Sequence, residues 1–454
     1  MAKKVWLISV NMGYGHQRTA YSLKNLAYGE EIINANDYQG IPKKDRATWE
    51  TTRKFYEFIS NFKRTPFFGN LVFTIFDTFQ KILSFYPKRD LSKPNFQLKQ
   101  NYSLIKKGWG RHLIEKLKTK LPKEAKVEKK TKSSLSVESS KLKVNLPIIS
   151  AFFTPAFMAE FFGYPGEIFC VICDADISRS WASLESKKSK IKYFAPTERA
   201  VERLKLYGVK KENIFLTGYP LPLENIGGEN AEILKADLKN RLLNLDPQKK
   251  YFKNYQALIK ENLGKLPEKS DHPLTLIFSV GGAGVQKEIG NKIVNGLVKE
   301  IKGGKIKIIL VAGIRERVKE YFEKSIKKLE LEGYLGQNIE IIFERDIKSY
   351  FRKFNLALRK ADILWTKPSE LSFYSALGLP IIIAPPVGSQ EEFNMRWLLK
   401  SGFGILQENP KYTKEWLFDW LNRGFLAEMA MEGFIEGEKL GALKIKNIIF
   451  SQNG

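Results

Sequence analysis

Two glycine-rich turns contain the residues best suited to chemistry. Each turn follows an apolar run typical of a buried strand, residues 5–10 in the first case and 274–280 in the second. The first turn carries Gly13, Gly15 and His16, and the second carries Gly281, Gly282 and Gly284. Glycine lets backbone N–H groups and a helix N-terminus approach an anion closely. The two turns therefore predict two sites of contact with a phosphate-bearing ligand.

One of these turns also offers a proton acceptor. Of the three histidines, only His16 follows a glycine-rich strand end. A displacement by a hydroxyl group needs a base that is unprotonated near neutral pH, and imidazole is the usual choice. The alternative interpretation, in which His16 only caps the helix after the turn, stays open.

The elements that position these turns follow an alternating pattern. In the second half, apolar runs at 274–280, 306–312, 339–343, 362–365 and 380–384 alternate with helical stretches, which predicts a doubly wound parallel sheet. Ligands of such sheets bind beyond the carboxyl ends of the strands. Arg315 follows one of these strands and could neutralise a pyrophosphate. Thr366, Lys367 and Glu370 follow another and begin a helix whose N-terminus could face phosphate or ribose.

The first half has shorter but similar runs, at 146–151, 168–173 and 193–195, so the fold class predicted is α/β with two Rossmann-like domains facing a cleft. We expect an N-terminal domain over residues 1–222 that faces the acceptor and the membrane. A flexible basic loop is expected within it at about 116–145. The C-terminal domain over 223–454 should bind a nucleotide sugar, and its last helix could cross back onto the first domain.

Net charge and hydropathy indicate which classes of binding partner the protein can have. The net charge of +26, from 75 Lys and Arg against 49 Asp and Glu, favours an anionic partner. No apolar run reaches the ~20 residues that span a bilayer. Segment 67–86 has an aromatic face that includes Phe68, Phe76 and Phe79, which predicts contact with an anionic membrane surface. Packing of that helix on its own domain is the alternative.

The cysteine count bears on compartment and metal binding. Only Cys170 and Cys173 occur, and no second pair completes a zinc site, so we interpret them as buried thiols. No metal site and no cofactor are predicted. The expected location is cytoplasmic, peripheral on the inner face of the cell membrane.

Several motifs in collinear order resemble one enzyme group. The motifs are Gly13-Tyr14-Gly15-His16, the pair 194–197 and 217–220, Gly281-Gly282-Ala283-Gly284, Thr366-Lys367 leading to 378–380, and 388–394. Together they are similar to the motifs of the monogalactosyldiacylglycerol synthase and MurG-like group of GT-B glycosyltransferases. The resemblance implies transfer of a sugar, with inversion and without an obligatory metal, from a nucleotide sugar to a lipid-linked acceptor. It covers nearly the whole chain except the basic loop and the domain connection.

Carried over by position, the resemblance assigns roles to individual residues. Gly13, Gly15 and His16 would border the reaction centre, and Gly282 and Arg315 the diphosphate. Gln390, Glu391 and Asn394 would bind the donor sugar or its ribose, which suits amide and carboxylate groups that pair with vicinal hydroxyls. In the alternative, they solvate a loop and cap the next helix.

The chain also departs from the group at two positions. Phe373 stands where a ribose-binding Glu is usual, and Glu370, one helical turn earlier, could replace it. Ser178 stands about where the lipid galactosyltransferases have a His. Asp174 or Asp176 could then act as the base or orient His16, unless both only cap loops.

Two other function classes are compatible with the sequence. A UDP-sugar 2-epimerase would use the same architecture without an acceptor. A nucleic-acid-binding protein would suit the charge, but the basic segment has few aromatics for base stacking and no recognised nucleic-acid module occurs. No specific nucleic-acid partner is therefore predicted.

Overall fold

The computed structural model describes residues 4–62, 82–119, 145–282 and 284–451. The predicted membrane residues Phe68, Phe76 and Phe79 lie outside these ranges, as does most of the predicted basic loop. No helix within the described ranges is long and apolar enough to cross a bilayer.

The first sheet holds six parallel strands in the order β2-β1-β3-β4-β5-β6. The strands are β1 Val5–Ser9, β2 Ala27–Asn34, β3 Ile148–Ser150, β4 Ile168–Val171, β5 Lys192–Ala195 and β6 Ile214–Leu216. The helices of this part are α1 Tyr14–Ser22, α2 Lys43–Phe62, α3 Phe96–Lys106, α4 Arg111–Thr119, α5 Phe153–Phe161 and α6 Glu198–Leu206. The strand order reverses direction between β1 and β3, so a ligand-binding crevice is expected at their carboxyl ends.

The second sheet also holds six parallel strands, in the order β12-β11-β10-β7-β8-β9. The strands are β7 Thr275–Ser279, β8 Lys307–Gly313, β9 Ile339–Phe343, β10 Ile363–Thr366, β11 Ile381–Ile383 and β12 Gly404–Leu406. The helices that follow the first sheet are α7 Glu232–Leu245, α8 Lys250–Leu263, α9 Lys287–Gly296, α10 Val298–Lys302, α11 Glu316–Lys328, α12 Ile347–Leu358, α13 Ser389–Lys400, α14 Thr413–Arg423, α15 Phe425–Glu436 and α16 Gly441–Ser451. Counted from β7, this is the Rossmann order, and it reverses between β7 and β10.

The central strands form where the sequence is continuously apolar. All five residues of β1 and all five of β7 are buried, as parallel strands covered by helices on both faces must be. The fold class predicted from the sequence, two Rossmann-like domains facing a cleft, is confirmed.

Two helices lie between β7 and β8. The backbone leaves helical geometry at Leu297, just after Gly296, and this separates α9 from α10. Residues 224–272, which connect the two sheets, contain α7 and α8 of 14 residues each.

The last helix, α16, packs against the first sheet. Ala442, Ile445 and Ile449 lie in one buried cluster with Val5 and Leu7 of β1. The chain therefore returns to its first sheet after completing the second. The division at residue 222 stays a prediction.

Candidate active site

The site lies where the reversal points of the two sheets face each other. A Cβ atom added at Gly282, after β7, would lie 3.2 Å from the backbone N of Tyr14 and 3.5 Å from Cα of Gly13, after β1. Residues of both sheets line a cleft of about 900 Å³, a size that suits a small-molecule ligand. The two glycine-rich turns are thus opposite walls of one cleft.

His16 lies on the first wall in a defined orientation. Its Nδ1 is 2.9 Å from the carbonyl oxygen of Ala151, the residue that follows β3. A carbonyl can only accept, so Nδ1 carries the proton and Nε2 keeps its lone pair. Among the described residues no partner of Nε2 is found, and His16 lines the cleft. The imidazole is therefore held across the β1–β3 reversal point in the tautomer that a base requires.

The surroundings of His16 are apolar. The ring centroids of Phe152 and Trp181 lie 4.7 and 6.2 Å from that of His16, and the Cys173 thiol lies 3.4 Å from Nδ1. Burial lowers the pKa of His16 to about 4, although the Ala151 carbonyl and the Glu370 carboxylate oppose the shift. The imidazole is therefore neutral at pH 7.

Asp174 is the second titratable group at this end of the cleft. Its Oδ1 accepts a hydrogen bond from Nδ2 of Asn394 at 3.1 Å. Burial raises the pKa of the Asp174 carboxyl to about 6, and the nearby Glu370 and Glu391 carboxylates raise it further. Asp174 is thus a carboxyl group that can hold or release a proton near neutral pH.

Asn394 connects the two sheets. Besides its bond to Asp174, its Oδ1 accepts from the backbone N–H of Ala175 at 2.8 Å, and the residue is fully buried. Both ends of its amide are therefore bonded to the loop after β4, and Nδ2 also donates to the Pro368 carbonyl at 3.5 Å, so the sugar contact predicted for Asn394 would require a change in these bonds.

The second wall is built around the β7–β10 reversal point. Thr366 at the end of β10 donates from Oγ1 to the carbonyl of Ser279 at the end of β7 (3.2 Å). The next residue, Lys367, forms an ion pair with Glu391. A Cβ at Gly281 would fall inside contact distance of the Lys367 side chain, so only glycine allows this cation to lie over the turn.

Two more predicted residues lie beside this turn. Arg315 is exposed in the cleft, and its Nε donates to the carbonyl of Gly282 at 2.9 Å. Gln390 also lines the cleft, and its amide has no partner among the described residues. Of the three residues predicted to bind sugar, Gln390 alone has an uncommitted side chain.

Glu370 contacts the first domain. Its Oε1 accepts a hydrogen bond from Nε of Arg18 at 3.1 Å. A Cβ atom added at Gly15 would lie 3.2 Å from Oε2 of Glu370. Phe373, at the position where the resembling group carries a glutamate, is buried and stacked on Tyr219 with ring centroids 5.0 Å apart. Glu370 is therefore the carboxylate that reaches the cleft from this segment.

The structure brings most of the predicted site residues together. The cleft is lined by Gly13, Gly15, His16, Asp174, Gly281, Gly282, Arg315, Thr366, Lys367, Glu370, Gln390, Glu391 and Asn394. Gly284 is outside this lining and packs toward Val318, with its N–H bonded to the carbonyl of Gly281. Gly284 therefore shapes the turn without facing the cleft.

Asp176 is not brought to the cleft with the other predicted site residues, and its catalytic role stays a prediction. Its two carboxylate oxygens accept from Arg203 at 2.8 and 2.7 Å, and both side chains are almost fully buried. Asp176 does not line the cleft. Asp176 is half of a buried ion pair that ties the loop after β4 to α6.

Several cleft residues were not predicted from the sequence. Tyr14, Arg18, Cys173, Phe152 and Trp181 all line the cleft. Within the described ranges, no group of three or more His, Cys, Asp or Glu side chains could hold a metal ion.

A family model described as "Domain of unknown function (DUF6938)" matches residues 265–395, which include the cleft loops of the second sheet. A search of curated proteins found no match.

Solved structures with a similar fold include MurG of Acinetobacter baumannii, at 12% identity over 99% of each chain with a TM-score of 0.46. Another is the UDP-GlcNAc 2-epimerase of Neisseria meningitidis bound to UDP-GlcNAc, at 12% identity over 80% of this chain and 84% of that one, with a TM-score of 0.43. A glycosyltransferase of Rickettsia africae is 14% identical over 100% and 99% of the chains, with a TM-score of 0.40. Likeness at this level carries no argument about function.

Proposed function

We propose that this protein is an inverting glycosyltransferase. It moves a sugar from a nucleotide sugar, with UDP as the preferred nucleotide, to a lipid or glycolipid acceptor at an anionic membrane surface. One observation carries the proposal: a neutral imidazole, His16, presents its free Nε2 to a cleft whose opposite wall carries the Gly281–Gly282 turn, Lys367 and Arg315.

The chemistry that this arrangement supports is a single displacement. Nε2 of His16 takes the proton from a hydroxyl group of the sugar acceptor, while the oxygen of that hydroxyl forms a bond to the anomeric carbon of the donor sugar. The bond from that carbon to the diphosphate oxygen breaks, and its electron pair leaves with the nucleoside diphosphate. Nδ1–H stays bonded to the Ala151 carbonyl, which stabilises the imidazolium that forms.

The second wall supplies positive charge where the leaving group develops negative charge. Lys367 and Arg315 flank the Gly281–Gly282 turn, whose backbone can approach a phosphate closely. The diphosphate would also raise the pKa of His16, because a nearby negative charge favours the imidazolium. Donor binding therefore strengthens a base whose pKa burial lowers to about 4.

The acceptor side of the cleft carries both apolar and polar side chains. Met12, Phe152, Phe153 and Trp181 line it near His16. Its hydrogen-bonding side chains are Asn11, Asn36, Asp37, Arg46, Glu50, Arg53, Gln97, Ser178 and Ser180. The polar part of this wall suits a hydroxylated head group. The lipid part of the acceptor and its membrane are proposed from the sequence, through the aromatic segment 67–86 and the family resemblance.

The test is transfer from a panel of UDP-, GDP-, ADP- and dTDP-sugars in the presence of vesicles with anionic lipid and glycolipid. Thermal shift selects the donor first, since a ligand at 100 times its Kd stabilises the folded protein by about 2.7 kcal/mol. We expect a glycosylated lipid of inverted configuration from the selected donor. Formation of a C2 epimer without acceptor would instead identify an epimerase, and no stabilisation by any nucleotide sugar would contradict the proposal.

A variant pair makes the test specific to the base. His16→Ala should lower kcat by roughly 10²- to 10⁴-fold while donor affinity changes little. The matched control is His112→Ala, because His112 bonds to the Tyr38 hydroxyl and does not line the cleft. Full turnover in His16→Ala would remove His16 from the role of base.

A further inference from the structure

Helix α1 inserts two side chains into the second domain. Tyr14 and Arg18 are four residues apart, so they project from the same face of the helix. His16 lies between them in sequence and contacts the first domain through the Ala151 carbonyl. The helix that carries the proposed base is therefore held from both sides of the cleft.

Tyr14 is enclosed by backbone of the second domain. Its hydroxyl accepts a hydrogen bond from the N–H of Ile314 at 3.1 Å. A Cβ at Gly313 would lie 2.5 Å from this hydroxyl, and one at Gly282 would lie 3.4 Å from the ring. The ring also packs on Tyr350 of α12, with centroids 5.1 Å apart. Two glycines thus leave the space that the tyrosine fills.

Arg18 is anchored one turn further along. Its Nε donates to Oε1 of Glu370 at 3.1 Å, and its Nη2 donates to the Tyr350 hydroxyl at 3.0 Å. The guanidinium carbon lies 4.5 Å from the ring centroid of Phe354, within cation–π distance. Only 1% of the Arg18 surface is exposed, so this cation is committed to the contact between the domains.

We propose that Tyr14 and Arg18 are positioning residues that fix helix α1 in the second domain and thereby set where His16 stands relative to the Gly281–Gly282 turn. The reaction that they serve rests on the proposed function, whereas the anchoring itself does not. These contacts join the two walls of the cleft at helix α1. Loss of an anchor leaves His16 bonded to Ala151 but lets the first wall move away from the second.

The anchoring can be measured without turnover. Lys188 and Arg423 are exposed on different domains, and both native cysteines are buried, so Lys188→Cys and Arg423→Cys accept spin labels selectively. Double electron–electron resonance should give one narrow distance distribution in the otherwise unchanged chain without nucleotide. Tyr14→Ala should broaden it toward longer distances. The exposed Tyr412→Ala, as the matched control, should leave it unchanged.

Milder variants separate anchoring from folding. Tyr14→Phe keeps the ring and loses only the bond to Ile314. Arg18→Lys keeps the charge opposite Glu370 but loses the planar fork. Both should remain folded by circular dichroism and broaden the distribution less than Tyr14→Ala. An unchanged distance distribution in Tyr14→Ala and in Arg18→Lys would overturn the proposal.

Measurement of turnover is the second test of the positioning role. A displacement of about 1 Å at a reacting group can cost 10²-fold in rate, so kcat of Tyr14→Ala should fall roughly 10- to 100-fold with a smaller change in KM. An unchanged kcat in a variant whose distances broaden would overturn the positioning role while the proposed transfer stands. Should no donor be turned over at all, the proposed function fails and the distance measurement still decides the anchoring.

Discussion

The two candidate bases of the cleft, His16 and Asp174, titrate in different ranges. The pKa of His16 is lowered to about 4 by burial, and that of Asp174 is raised to about 6, also by burial. Either group works as a base only when deprotonated, so activity is lost as pH falls through the pKa of the group that acts. For His16 we expect kcat/KM, which reports the free enzyme, to stay level down to about pH 5 and to fall near pH 4.

The measurement is a kcat/KM profile between pH 3.5 and 8 at subsaturating donor, with far-UV circular dichroism at each pH to exclude unfolding. A fall centred near pH 6 would assign the base role to Asp174. The variant Asp174→Asn separates the cases further: with His16 as the base, the variant should keep its activity and the fall near pH 4, and with Asp174 as the base, activity should be lost across the pH range.

For Asp176 we expect an effect on stability and little effect on chemistry. It forms a buried ion pair with Arg203, in which both side chains are almost fully buried. Removal of one partner leaves an uncompensated buried charge, which costs about 3–5 kcal/mol. Asp176→Ala should therefore lower the free energy of unfolding by about that amount in urea titrations, with little change in kcat of the protein that remains folded.

The exposed pair Arg423 and Asp419 is the matched control. Both side chains are more than half exposed, and such pairs contribute about 0–1 kcal/mol. Asp419→Ala should therefore be nearly neutral. A large fall in kcat with unchanged stability in Asp176→Ala would return Asp176 to the catalytic role that the sequence suggested.

Single residues were predictable where the local sequence defines their role. His16 follows a glycine-rich strand end, and that pattern alone directs it to the cleft. Asp176 follows β4 as His16 follows β1. Its partner Arg203 is 27 residues away, however, and no local sequence pattern predicts the pair. Arg18 and Glu370 are 352 residues apart. Long-range partners of this kind are decided by packing, which the sequence pattern does not contain.

At the scale of elements, buried strands were predicted well and surface elements poorly. β7 lies within the apolar run that predicted it, residues 274–280, because this central parallel strand is buried along its whole length and covered on both faces. β2 was not predicted. It is an edge strand with a mostly exposed middle, and Gly29 and Glu30 have positive φ beside an irregularity in its pairing with β1. A bulged, exposed strand lacks the apolar signature.

The β7–α9 turn depends on the small size of one glycine. A Cβ at Gly281 would displace the Lys367 side chain and disturb its pair with Glu391. The displaced group is the end of a flexible side chain, so the fold should survive. Gly281→Ala should weaken donor binding roughly tenfold, about 1.4 kcal/mol, because the cation no longer lies over the turn. Calorimetric titration with the selected donor measures this.

Gly333→Ala is the control for that substitution. Gly333 has open space where a Cβ would lie, and its φ is not positive. Donor affinity and stability should both be unchanged there. Equal donor affinity in Gly281→Ala and Gly333→Ala would show that the turn does not contact the donor.

At the scale of the whole molecule, the chain connects its two domains twice. The first crossing runs through Gly218 and Tyr219 after β6, and the second runs from α15 to α16. The two crossings pack on each other, since a Cβ at Gly218 would enter the Glu438 side chain. The alternating pattern of strands and helices predicted two sheets. It could not predict how the sheets face each other, because that depends on these crossings and on side chains such as Tyr14 and Asn394.

The second crossing offers a test of how the molecule holds together. A Cβ at Gly441, the first residue of α16, would overlap the backbone carbonyl of Tyr219. Packed backbone is displaced less easily than the end of a flexible side chain. Gly441→Ala must therefore shift α16, whose Ala442, Ile445 and Ile449 are buried against β1. Overpacking of this kind costs about 1–3 kcal/mol. We expect a lower unfolding midpoint in urea and faster hydrogen exchange along α16 and β1, while β7 to β12 keep their protection. Faster exchange confined to the second sheet, or none at all, would mean that α16 is not what completes the first domain.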